Sequence, residues 1–242
     1  MKQQMLRTHS IASLMAVALL ATVRVSPAQA ATTPYPAMAP ASQYLIADEQ
    51  AEIALARSAA PPSISDRAEV LVLGRDGYRT AVKGANEFVC LVERSFAAAT
   101  DAPEFWNPKI RGPICVNPPA ARTHLPGVLM KAKLALAGKS RTEIAAATQS
   151  AYDRKELPAP EPGAMSYMMS RQQYLADDGG SWHPHMMWFV PGDAAKTWGA
   201  NLPGSPTLAT NDPEDHTTIF LVLVGHWSDG TPVPQDSAPH TH

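Results

Sequence analysis

The chain has 242 residues, with 20 Lys or Arg against 22 Asp or Glu, a formal charge of −2, and 45% hydrophobic residues. That balance leaves no basic stripe to draw nucleic acid and no polybasic patch for anionic lipid, so neither is expected as a partner. The apolar content suffices for a buried core, and 23 prolines place long loops between its elements.

Residues 1–30 have the form of a secretory signal peptide. Lys2 and Arg7 supply the charged start, Ile11 to Val23 the apolar run, and Ala28-Gln29-Ala30 the small-x-small end that signal peptidase reads. The run of 13 residues is short of the roughly 20 that span a bilayer. Cleavage at Ala31 would remove Lys2, Arg7 and Arg24 and leave a formal charge of −5. The expected location is the periplasm or the medium, with no transmembrane helix after cleavage.

Residues 31–42 carry Pro34, Pro36 and Pro40 among Ala and Thr and read as a flexible lead. A single globular domain is expected over 43–230, with a loose tail over 231–242. It opens with a helix over Gln43 to Ser58, which Pro61-Pro62 cannot continue. Ala68 to Leu73, Tyr78 to Lys83 and Phe88 to Glu93 then read as an antiparallel meander, broken by Gly74-Arg75-Asp76-Gly77 and Gly84-Ala85-Asn86-Glu87. Pro103 to Pro119 reads as an irregular loop whose aromatics seal the sheet edge. Helices follow over Leu125 to Leu136, ended by Gly138, and over Arg141 to Lys155, opened by the capping box Ser140-Arg141-Thr142-Glu143. Trp182 to Val190 and Thr217 to Trp227 return to strand, the second apolar on both faces and so expected to be central. The fold class is α+β: an antiparallel sheet of about five strands with helices packed on one face.

In an oxidising compartment the two cysteines, Cys90 and Cys115, are expected to form one disulfide. Cys90 as a nucleophile is disfavoured, because its apolar neighbours would raise the thiol pKa. His183 and His185 fall on one face of an extended chain, and His226 would lie alongside if the last strands pair. Three imidazoles of that kind would suit Zn or Cu, with nearby Met165, Met168, Met169, Met186 and Met187 as further copper ligands. The competing reading makes these histidines structural, bonded to loop carbonyls. No cofactor is expected under that reading.

Asp177-Asp178-Gly179-Gly180 and Asp212-Pro213-Glu214-Asp215-His216 carry carboxylates that could coordinate Ca²⁺ or act as an acid/base pair, but without EF-hand spacing they read as solvated turns. Trp182, Trp188 and Trp198 are candidates for lining a ligand groove. The chain lacks His-Glu-x-x-His, Gly-x-Ser-x-Gly and Gly-x-Gly-x-x-Gly, which removes the usual metalloprotease, α/β-hydrolase and dinucleotide readings. What is left is an exported protein that binds a small ligand or an envelope partner. The alternatives are a metal-dependent hydrolase or oxidoreductase built on His183, His185 and His226, and a structural envelope protein.

Overall fold

A computed structural model describes residues 34–178, 182–205 and 207–234. The expected signal peptide, residues 1–30, and the last eight residues, including His240 and His242, lie outside the described residues.

The first helix, α1 (Glu49–Arg57), starts where Asp48 accepts the backbone N–H groups of Gln50 and Ala51, with Glu49 and Glu52 in the favourable first turn. After a one-turn helix, α2 (Pro62–Ser65), the chain forms β1 (Glu69–Gly74) and β2 (Gly77–Val82), an antiparallel hairpin closed by Gly77 at φ 123°. β3 (Val89–Glu93) does not continue the meander. It lies on the other side of β1 and parallel to it. The connection from β2 crosses under the start of β1, where Ala85 N–H donates to the Arg67 carbonyl and Glu69 N–H to the Phe88 carbonyl. A Cβ on Gly84 would stand 2.3 Å from the Glu69 nitrogen, so only glycine allows that crossing.

β4 (Gly112–Val116) follows, then α3 (Pro118–Thr123), α4 (Leu125–Leu136) and α5 (Arg141–Asp153). The sheet is completed by β5 (Met165–Met168), β6 (His185–Pro191), β7 (Leu208–Asp212) and β8 (Thr217–Leu223). The order is β2-β1-β3-β4-β5-β6-β8-β7, eight strands, all antiparallel except β1 with β3. The α+β class therefore stands, while the expected five antiparallel strands become an eight-stranded mixed sheet.

The expectation of helices on one face is also corrected. Alternation along β1, β3 and β4 sends Val70, Val72, Cys90, Val92 and Cys115 toward Ile53 and Ala56 of α1. It sends Leu71, Leu91, Ile114 and Val116 the other way, toward Ala120, Leu125 and Val128 of α3 and α4. These strands are buried on both faces, as their unbroken apolar runs require. Each fully buried Leu or Val there contributes roughly 1.5–3 kcal/mol relative to exposure. α4 ends as expected, with Gly138 at φ 77° and its N–H on the Ala135 carbonyl, and α5 opens on the reciprocal Ser140 and Glu143 capping box.

A third cluster joins Tyr44, Leu73, Phe96, Phe105, Trp106 and Ile144, with Tyr35, Met38 and Ala39 packed against it. The described part of the expected flexible lead is thus tied down. The Tyr35 hydroxyl donates to Asp177, and Arg141 donates to the Tyr35 carbonyl. Tyr44 hydroxyl in turn donates to the Trp106 carbonyl at 2.8 Å.

Candidate functional site

On the α4 side of the sheet, Val89, Leu91 and Glu93 share one face of β3, so an acid ends an otherwise apolar stripe. Glu93 is the cross-strand partner of Gly112, the first residue of β4. With no side chain on Gly112, a cavity of about 260 Å³ opens beside the carboxyl, floored by Met168, Met187, Phe189 and Ile219 from β5, β6 and β8. The stretch after β3 roofs it through Ser95, Ala97, Ala98, Glu104 and Ile110, and His124 closes it at the junction of α3 and α4. The volume exceeds the roughly 150 Å³ of an apolar cavity that holds benzene and falls just below typical drug-sized pockets.

The wall is apolar apart from a few groups whose chemistry can be read. Burial pushes the Glu93 carboxyl up to about 7, with the Lys131 ammonium pulling the other way. Burial and then Lys131 push His124 down to about 3, so the imidazole is neutral at physiological pH. Its ring stacks on Phe189 at 3.9 Å between centroids. Neither the Glu93 carboxyl nor the His124 imidazole hydrogen-bonds to any described residue, yet both residues keep intermediate exposure and line the cavity. Ser95 Oγ is buried with no hydrogen-bond partner among the described residues.

The two basic side chains near the cavity are already committed. Arg94 Nη2 donates to Glu52 at 2.8 Å, Nε to the Tyr44 carbonyl at 2.6 Å and Nη1 to the Val92 carbonyl. Glu52 also accepts the Leu73 N–H, so this buried pair has the additional hydrogen bonds such pairs need. Lys131, fully buried on α4, lies 2.8 Å from Asp215 and 3.9 Å from Asp212. In the expected solvated turn at Asp212 to Asp215 the two aspartates are therefore buried while Pro213 stays exposed, held by a lysine that the α4 sequence does not reveal as their partner. Burial and then the Asp215 charge raise the Asp212 carboxyl above its usual range.

Cys90 and Cys115 form the disulfide, as direct cross-strand partners of β3 and β4 with Cα atoms 4.0 Å apart. The expected histidine set is placed differently from a three-fold cluster. β6 begins only at His185, so the strand alternation that would align His183 with it does not extend that far. His185 is buried, with its ring Nδ1 2.8 Å from the His183 carbonyl, and burial pushes it down to about 4. His226 is exposed and sits in a bridge with Pro232. Among the described residues, no three of His, Cys, Asp or Glu gather in a group able to hold a metal ion.

The three tryptophans divide. Trp182 lies edge-on to His185 at 4.8 Å between centroids. Trp188 stands opposite Phe220 on the other face of β6, and Trp198, 57% exposed, stacks on Phe220 at 4.2 Å. Trp188 and Trp198 thus share a sheet face that α1 does not reach, away from the cavity.

Sequence reasoning did not single out Glu93, His124 or Ser95. The legible signal was Glu93 itself, an acid in step with Val89 and Leu91. His124 carried none, because its position depends on the break between α3 and α4. No family model, no curated protein and no solved structure matches this chain.

Proposed function

We propose that the protein is an exported, non-catalytic binding module that takes a small, mainly apolar ligand into the cavity between the sheet and α4. The observation that carries this reading is the combination, in one place, of apolar walls and three hydrogen-bonding side chains with no hydrogen-bond partner among the described residues: Glu93, His124 and Ser95. Buried polar groups are normally paired, and a cavity that leaves several unpaired is the expected form of a site that a ligand completes. Export is supported by the signal-peptide form of residues 1–30 and by the Cys90 to Cys115 disulfide, a bond that persists in oxidising compartments.

The experiment is calorimetric titration of the mature protein with 2-phenylethanol, compared with Gly112→Val, which fills the cavity. Saturable binding at millimolar or lower concentration, lost in the variant, supports the reading. Binding unaffected by the valine overturns it, as does failure of both 2-phenylethanol and its amine analogue 2-phenylethylamine to bind.

A further inference from the structure

The charges around the cavity do not cancel. Two carboxylates line it, Glu93 and Glu104, and of these Glu104 already accepts a hydrogen bond from Asn107. On the basic side, Arg94 is held by Glu52 and two backbone carbonyls, and Lys131 is held by Asp215 and Asp212. His124 is neutral and Ser95 uncharged. Glu93 is left as the one carboxyl of the wall with no salt-bridge partner and no hydrogen-bond donor among the described residues, and Lys131 acts on it only at longer range.

An ionised carboxylate in apolar surroundings is costly unless a cation meets it. Neutral His124 adds an acceptor lone pair at the same wall, which suits a group that carries N–H donors. A ligand carboxylate or phosphate would instead bring a further negative charge against Glu93 and Glu104, with no uncommitted guanidinium or ammonium lining the cavity among the described residues to receive it.

From this arrangement we propose that the ligand is an amphiphilic amine: an apolar body of one ring or a short alkyl chain bearing an ammonium group, with Glu93 as its counter-ion. The inference rests on the cavity reading above and deepens it. Charge-assisted hydrogen bonds of this kind are about twice as strong as neutral ones, and stronger still away from water. The ammonium donates to Glu93, and His124 has a lone pair to take another of its hydrogens. The apolar body lies on Met168, Met187 and Phe189.

The test is calorimetric titration at pH 8 with three ligands of like shape and different charge: 2-phenylethylamine, 2-phenylethanol and 3-phenylpropionate. The expected order is amine at least tenfold tighter than alcohol, with no measurable binding of the carboxylate. In Glu93→Gln the amine falls to the level of the alcohol or below it, and alcohol affinity changes less than threefold. Equal affinity of amine and alcohol in the wild type, or binding of the carboxylate, overturns the amine assignment and leaves the cavity reading standing. If none of the three binds, the cavity reading fails and the assignment falls with it. Should Glu93→Gln not fold, the wild-type ligand order decides alone.

Discussion

Glu93 and Gly112 face each other across β3 and β4, and the hydrogen that Gly112 carries in place of a side chain is what leaves room beside the carboxyl. A Cβ there would come within 3.1 Å of the Met168 methyl, 3.4 Å of Leu175 and 3.7 Å of Glu93 Cβ. Its closest neighbour is the end of a flexible side chain, so Gly112→Ala moves the Met168 methyl into the cavity rather than breaking the strand. The loss of unfolded-state freedom offsets the crowding, and the stability change should stay below about 1 kcal/mol while ligand affinity falls. Gly112→Val overpacks the site, costs roughly 1–3 kcal/mol and abolishes binding. Thermal unfolding and calorimetry on the same preparations separate the two effects. A fully stable valine variant that still binds would place the ligand elsewhere.

The carboxyl itself makes stability fall as pH rises. Glu93 titrates near 4.5 when the chain is unfolded and at about 7 in the fold, so the folded state holds the proton more tightly. The favourable contribution is complete below 4.5, is lost between about 4.5 and 7, and amounts on the order of 3 kcal/mol. Glu93→Gln carries no such loss. Its stability relative to wild type should therefore rise through that window and level off above it. Urea unfolding of both proteins at pH 5 and pH 8 measures the difference. A gap of the same size at both values would mean that Glu93 is not desolvated as the structure places it.

How much of this was readable from the chain depends on whether the cause is local. The hairpin of β1 and β2, the extent of α4 and the capping box of α5 follow from turn glycines, helix stops and the Ser140 to Glu143 spacing, all settled within a few residues. β4 is a different case, because Gly112 and Pro113 argue against a strand. Its position is secured by β3 and the disulfide, and β5 pairs with it only at Cys115 and Val116, so no ladder bond is demanded of Pro113 on that side. The parallel placement of β3 was equally hidden, since it depends on the close passage of Gly84 over Glu69. The cavity required both of these non-local facts before Glu93 and His124 had a shared wall.

His185 gives the opposite pH dependence. Burial pushes its folded pKa down to about 4, below the ordinary 6.5, so the unfolded chain binds the proton more readily. The stability it contributes is present above 6.5 and is lost as pH falls from there through 4. Its Nδ1 hydrogen bond to the His183 carbonyl is one that an asparagine amide can imitate. Between pH 7 and pH 4 the wild type should therefore lose on the order of 3 kcal/mol more than His185→Asn. His124, lowered for the same reason, affects both proteins alike and drops out of the comparison. Parallel loss in the two proteins would show that the imidazole is not buried in its neutral form.

The disulfide joins residues that are already partners in the ladder, 25 positions apart in sequence. Native contacts therefore hold the two strands together without it, and its main effect is on the unfolded chain, whose closed loop loses about 3.5 kcal/mol of conformational freedom in the chain-entropy model. Both sulfurs also fill the cluster under α1, where Cys115 Sγ lies 3.8 Å from the Ala56 carbonyl. Replacing the pair by alanine confounds cross-link with volume, so the clean comparison is oxidised against reduced wild type in urea. The reduced protein should keep the same fold and unfold at lower urea by an amount close to that entropy. The double alanine variant should be lower again by the cavity it leaves, about 1 kcal/mol or more. Native protein isolated without reductant should show no titratable thiol. Two thiols there, with an unchanged urea midpoint on adding reductant, would remove both the cross-link and the support it gives to export.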